Sequence, residues 1–191
     1  MANDQPIDVS DTVFDLMEHQ RAVRLFGPED VDDATVERLI NAATRAPSSR
    51  NTQPWRFIVV RDRDTKDKLG TIFDELGAEL LGYDLSPDDN RTAWRDVPVL
   101  LVVCAEEGAN GSSIYPAVQN LLLAIQAVGL AGLLTTRWLR REQEVRDVLG
   151  VPDGMTMYAI IPVGKPLKAP GRNRRRPVAE VTFRDRIGNP W

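Results

Sequence analysis

The stretch Ala46-Pro47-Ser48-Ser49-Arg50-Asn51-Thr52-Gln53-Pro54-Trp55 decides how this chain is read. It packs small, amide and aromatic groups into one tight loop between a helical pattern and a strand pattern. A packing core has little use for that mixture, whereas a planar cofactor with polar edges does. Ser, Asn and Gln side chains can address ring donors and acceptors or a sugar-like chain, and the prolines hold the loop in shape. The residues alone therefore point to a flavin site. Taken by itself, the loop also suits a helix end followed by a Pro-punctuated turn, with Trp55 plugging the core.

Outward from the loop, the pattern alternates between helices and strands. Upstream, Val36, Leu39, Ile40 and Ala43 recur at helical spacing behind Asp32 or Asp33, either of which can cap, and the helix ends before Pro47. Before it, Val13, Leu16 and Met17 give a short amphipathic helix ending near His19, preceded by polar, loose residues 1–10. Downstream, residues 57–60 read as a buried strand, and Asp64 can cap a helix carrying Leu69, Ile72, Phe73 and Leu76 on one face. From 77 to 95 the pattern dissolves into Gly, Asp, Pro and Asn, which predicts a mobile cover.

A second strand over 99–105 leads to a helix over 113–128, in which Leu121, Leu122, Leu123, Ala124 and Ile125 leave almost no polar face. Such a helix must be buried on all sides, and a second subunit is a simple way to cover it. Gly129 and Gly132 bracket a turn into Leu133, Leu134, Thr135 and Thr136. Residues 142–149 form a short helix with Val145 and Leu149 inward, and 157–163 a further strand. Residues 178–183 read as a last extended segment able to reach a partner. The sum is one α+β domain over residues 1–191 whose tail leaves the core.

Composition narrows the functions. With 191 residues, 42% of them hydrophobic, the chain can bury a real core, and a formal net charge of -4 argues against a surface built for nucleic acid. Cys104 is the single cysteine and lies in an apolar run, so it forms no disulfide within the chain and reads as a buried thiol. The start is acidic without an apolar core, and no run approaches the roughly 20 apolar residues that span a bilayer, so a cytoplasmic protein with no membrane partner is expected. One histidine and one cysteine leave no metal-ligand cluster and no Cys-His nucleophile. The chain has no phosphate-cradling GxxxxGK[ST], and Gly129-Leu130-Ala131-Gly132 is not the dinucleotide fingerprint. Ser48 and Ser49 lack the G-x-S-x-G setting of an acyl-transfer serine.

Two basic clusters remain: Arg21 with Arg24 at a helix exit, and Arg174-Arg175-Arg176 within a tail that has no acidic residue between Met155 and Ala179. Guanidinium forks match phosphate oxygens bidentately, so the two clusters can converge on one phosphate. Read alone, they are equally a solvated helix end and a solvated tail.

Taken in order, Arg21-Ala22-Val23-Arg24-Leu25-Phe26, the Pro47-Ser48 to Pro54-Trp55 loop, the apolar helix around Asn120-Leu121-Leu122 and the Arg-Arg-Pro tail resemble the nitroreductase family over roughly residues 12–183. The resemblance implies a nitroreductase-like α+β fold: a mainly antiparallel central sheet flanked by helices, in an intertwined homodimer. Residues 167–191 would extend onto the partner subunit. It implies FMN at the subunit interface, with Arg21, Arg24 and Arg175 on its phosphate and Ala22 contributing backbone. Pro47, Ser48, Ser49, Asn51 and Gln53 would line the flavin from the neighbouring subunit, and Leu134, Thr135 and Thr136 would approach its ring. Where many relatives carry Arg-Arg-Ser-x-Arg, this chain reads Gln20-Arg21-Ala22-Val23-Arg24, which predicts modest FMN affinity.

The activity implied is ping-pong hydride transfer from NADH or NADPH through FMN to nitroaromatics, quinones or similar acceptors. No side chain need then act as a dedicated catalytic group. Two rivals stand beside it. One is a specialised FMN enzyme of the same fold, a dehydrogenase, dehalogenase or flavin-cleaving enzyme. The other is a non-catalytic module that uses the Arg-rich tail to bind a polyanion.

Overall fold

The computed structural model describes residues 10–81 and 91–191. Four strands, β1 (Trp55–Val60), β2 (Val99–Glu106), β3 (Ala131–Gly132) and β4 (Met155–Gly164), form one sheet in the order β1-β2-β4-β3. Every pairing is antiparallel, in agreement with the sheet expected. The helices are α1 (Ser10–His19), α2 (Asp33–Ala43), α3 (Arg63–Leu81), α4 (Gly111–Ala127), α5 (Glu142–Leu149) and the single turn α6 (Val178–Val181).

The central strand β2 explains the layering. Its seven residues from Val99 to Ala105 are all buried, because both faces of the sheet are covered. Val99, Leu101, Val103 and Ala105 point to a core built with α2 and α4, including Leu39, Ile114, Leu121 and Ile125. Leu100, Val102 and Cys104 point the other way, into a core with Leu69, Phe73 and Leu76 of α3, Trp94, Trp138 and Val145 of α5. Helices therefore flank the sheet on both sides. Lys66 of α3 is buried with its Nζ donating to the Val97 carbonyl at 2.6 Å, and desolvation holds its pKa below the usual lysine value.

The structure corrects several element expectations. Asp62, not Asp64, caps α3: its carboxylate accepts from the Thr65 peptide N–H at 2.7 Å, and Asp64 sits in the first turn. α3 also runs on through Gly77 to Leu81, because Leu69, Ile72, Phe73 and Leu76 bury one face before the pattern fades. β1 lies at the sheet edge, so Val59 is exposed and Phe57 and Ile58 are only half-buried. Residues 178–181 form a helical turn rather than an extended segment, with Pro177 at the cap position. Within one chain α4 buries a single face: Tyr115 and Gln119 are exposed, and Leu123 and Ala124 half-buried. Residues 1–9 of the loose start expected over 1–10, and residues 82–90 of the cover expected over 77–95, lie outside the described residues.

Candidate functional site

After α1 the chain becomes extended and runs beside the end of the sheet. The Val23 peptide N–H donates to Gly132 O at 3.3 Å, and that of Gly27 to Lys165 O at 2.8 Å. Val23 and Leu25 turn partly inward while Arg21, Ala22 and Arg24 stay exposed. Residues 91 and 92 brace this segment. The Thr92 N–H donates to Arg24 O at 2.9 Å, and its hydroxyl accepts from Phe26 N at 2.8 Å and donates to Phe26 O at 3.2 Å. Arg91 pairs with Asp74 of α3, and its buried Nε has no hydrogen-bond partner among the described residues.

The Arg-rich tail is pinned to the same corner by Asn173 and Arg172. Asn173 donates its peptide N–H to Glu18 O at 2.8 Å, and its Nδ2 to Met17 O at 2.9 Å and Gln20 O at 3.2 Å. Arg172 reaches Glu18 at 3.2 Å and Asp15 at 3.8 Å. Arg175 donates to the Arg174 carbonyl at 2.9 Å. Among the described residues, Arg21, Arg24, Arg174, Arg175 and Arg176 form no ion pair, whereas Arg56, Arg61, Arg63, Arg141 and Arg146 all do. The corner thus carries five guanidiniums that no carboxylate pairs with among the described residues, and the C-terminal end of α1 favours positive charge there.

Leu134, Thr135 and Thr136 continue from β3 along the sheet edge. Thr135 exchanges two backbone hydrogen bonds with Ile160, at 3.0 and 3.2 Å, and its carbonyl also accepts from Trp138 Nε1 at 3.0 Å. Trp138 is fully buried, so this segment is anchored from inside. Leu134 is exposed and both threonines are half-buried.

The 47–53 loop is built differently. The Ser48 hydroxyl accepts from Gln53 N at 3.1 Å, and the Ser49 peptide N–H donates to the buried Ser113 hydroxyl near the start of α4, also at 3.1 Å. Arg50, Asn51 and Gln53 all hold positive φ, at 52°, 56° and 49°. Each such residue costs on the order of 1 kcal/mol or more, and strain of this kind gathers where a backbone must meet a ligand. Pro47, Ser49, Asn51 and Gln53 are exposed, and Ser48 is half-buried.

Register places these parts. The loop enters β1 at Trp55, level with Ala105 and Thr156, whereas Gly132 pairs with Val163 at the far end and on the far edge. Three inter-strand steps of ~4.8 Å and some seven residues along the strands separate them, roughly 20 Å or more on the diagonal. The structure therefore runs Leu134, Thr135 and Thr136 along this edge to the level of Ile160, midway along β4, and brings Arg21, Ala22, Arg24 and the tail that carries Arg175 to the Gly132 corner. It leaves Pro47, Ser48, Ser49, Asn51 and Gln53 at the opposite one. Sequence reasoning missed Asn173, Thr92, Arg91 and Ser113, which hold these parts in place; only Asn173, an amide inside an arginine run, offered any signal.

A model of the nitroreductase family matches residues 17–165, a span that includes the Arg21 segment, the loop and the Thr135 edge. The chain belongs to the nitroreductase family. It is 30% identical over 159 residues to a protein of Archaeoglobus fulgidus named for NADH dehydrogenase and NAD(P)H nitroreductase activity, covering 77% of this chain and 81% of that one. It is equally 30% identical over 169 residues to the iodotyrosine deiodinase of Thermotoga neapolitana, covering 81% and 88% of the two chains. Among solved structures, an oxidised iodotyrosine deiodinase bound to FMN and 3-iodo-L-tyrosine superposes with a TM-score of 0.75 at 27% identity, covering 86% of this chain and 95% of that one. Nitroreductase family membership makes the chain an oxidoreductase. No helix among the described residues is long and apolar enough to cross a membrane.

Proposed function

We propose that the chain is an FMN-dependent oxidoreductase, a single cytoplasmic domain that works as an intertwined homodimer in which each of two sites is shared between subunits. The observation that carries the reading is the corner of guanidiniums that form no ion pair among the described residues. The residues fit the group: a phosphate monoester suits Arg21, Arg24 and Arg175, which are exposed and free of carboxylate partners among the described residues. Similarity to a deiodinase that binds FMN supports the choice of flavin.

When bound, FMN supplies the redox chemistry, and the protein binds, orients and shields it. Arg21, Arg24 and Arg175 hold the phosphate, with Ala22 contributing backbone. Leu134, Thr135 and Thr136 form the wall against the ring and exclude water from one edge. Pro47, Ser48, Ser49, Asn51 and Gln53 lie too far from this corner to act in their own chain, so they close the site of a second copy, with residues 167–191 packing on that partner. NADH or NADPH is the donor, and nitroaromatics or quinones are the acceptors, in a ping-pong cycle. Similarity to the NAD(P)H nitroreductase of Archaeoglobus fulgidus supports this reaction.

A second reading, reductive dehalogenation, has its own support in the iodotyrosine deiodinases, which match this chain at equal identity. The test is anaerobic. FMN-reconstituted protein should lose its visible flavin absorbance on addition of NADH or NADPH and recover it with a nitroaromatic. Failure of either nucleotide to bleach the flavin refutes the NAD(P)H reaction. Iodide release from iodotyrosine by dithionite-reduced protein, with no turnover of nitroaromatics, selects the dehalogenase.

A further inference from the structure

The segment after Thr136 carries a cation that the fold leaves unused. Arg137 is half-buried, and among the described residues its guanidinium meets no carboxylate. Arg140 nearby is also unpaired among the described residues but exposed, whereas the other partly buried arginines of this stretch are paired: Arg141 with Glu75 and Glu144, and Arg146 with Glu142 while donating to the Met155 and Pro152 carbonyls. Arg137 instead lies over the ring of Phe73, with Cζ 5.7 Å from the ring centroid. A stacked guanidinium uses its face for the ring and keeps its in-plane N–H donors available.

Position and surroundings suit a ligand. The Arg137 peptide nitrogen lies 3.5 Å from Thr135 Oγ1, and the adjoining Trp138 is buried with Nε1 on the Thr135 carbonyl, so residue 137 cannot slide along the sheet edge. Leu134 and Leu139 expose apolar surface on either side of it in sequence. One fixed, unpaired cation amid apolar surface matches an aromatic molecule that carries an anionic group. Holding a partly desolvated charge without a counter-ion costs stability, and an incoming anion repays it.

We propose that Arg137 is a specificity-determining residue that recognises an oxyanion, carboxylate or phosphate, on the molecule that docks against Thr135 and Thr136. This rests on the reading of that segment as the wall of the flavin site. The test is titration calorimetry on FMN-reconstituted protein with para-nitrobenzoate against its neutral counterpart para-nitrobenzamide, and with NADP⁺ against NAD⁺. Arg137→Gln should raise the Kd of the anionic member of one pair by about tenfold or more, the scale of a lost charge-assisted hydrogen bond. The neutral amide should shift less than about twofold, Arg137→Lys should recover part of the loss, and Arg140→Gln, which removes an exposed arginine nearby, should leave both ratios unchanged. An effect on nitrobenzoate assigns the oxyanion to the acceptor, and an effect on NADP⁺ relative to NAD⁺ assigns it to the donor. Equal changes in both members of each pair, no change in either, or no binding of any probe by the wild type overturns the proposal. FMN uptake is read separately by absorbance: protein that takes up no FMN refutes the flavin reading, whereas the Kd ratios alone decide Arg137.

Discussion

Arg21 is exposed and has no carboxylate partner among the described residues, so its removal costs the fold nothing obvious and the bound anion a great deal. Arg21→Ala should weaken FMN binding by roughly tenfold or more, as expected for a charge-assisted contact, with the melting temperature of the apoprotein unchanged. Flavin fluorescence quenching measures the first and calorimetry the second; an unchanged FMN Kd would remove Arg21 from the site. Cys104 argues at the same scale but for the core. Burial pushes its thiol pKa up from 9.0 to about 11. A thiol whose folded pKa is raised stabilises fully below the unfolded value and loses that contribution as pH climbs towards the folded one. Stability should therefore decline between pH 9 and about 11, and Cys104→Ala should flatten that decline in a series of alkaline thermal melts. A decline of the same steepness in the variant would assign it to other groups.

Asn173 shows how one side chain can govern an element. Its three hydrogen bonds to Met17, Glu18 and Gln20, beside the Arg172 ion pairs with Glu18 and Asp15, hold the tail against the end of α1. Asn173→Ala removes the two side-chain bonds and should weaken FMN binding severalfold without touching any guanidinium, measured beside Arg21→Ala. Gly132 sets the other contact of this corner: a Cβ there would come within 2.7 Å of Pro162 O. Gly132→Ala should cost about 1–3 kcal/mol in denaturant unfolding, the range for overpacking; a neutral result would mean the sheet edge can part from β4. The helices were legible because Val36, Leu39 and Ala43, and likewise Leu69, Ile72, Phe73 and Leu76, recur at 3.6 spacing and are all buried. The loop was legible by its chemistry. Edge position was not, since Val59 reads as core by type and is exposed because no strand among the described residues lies beyond β1. Helix ends were also hidden: Gly77 looked like a stop, but its helix is already committed by the buried face before it. The convergence of Asn173 with Gln20 spans most of the chain, and no local pattern reports such a contact.

At the scale of the molecule, the two halves of the candidate site sit on opposite edges of the sheet, and a two-fold pairing of chains is the simple way to make them meet. The surface of a single chain agrees with that. Val13, Phe14 and Met17 of α1 and Val178, Val181, Ile187 and Trp191 of the tail are exposed hydrophobics, and the outer face of α4 is only half-covered. The resemblance implies this pairing, whereas periodicity alone implies only that α4 needs more cover than one chain gives. The most direct test is sedimentation velocity of FMN-reconstituted protein followed at the flavin absorbance band. The account predicts that the flavin travels at the mass of two chains with about one FMN per chain; flavin that sediments with a single chain, or free of protein, would contradict it.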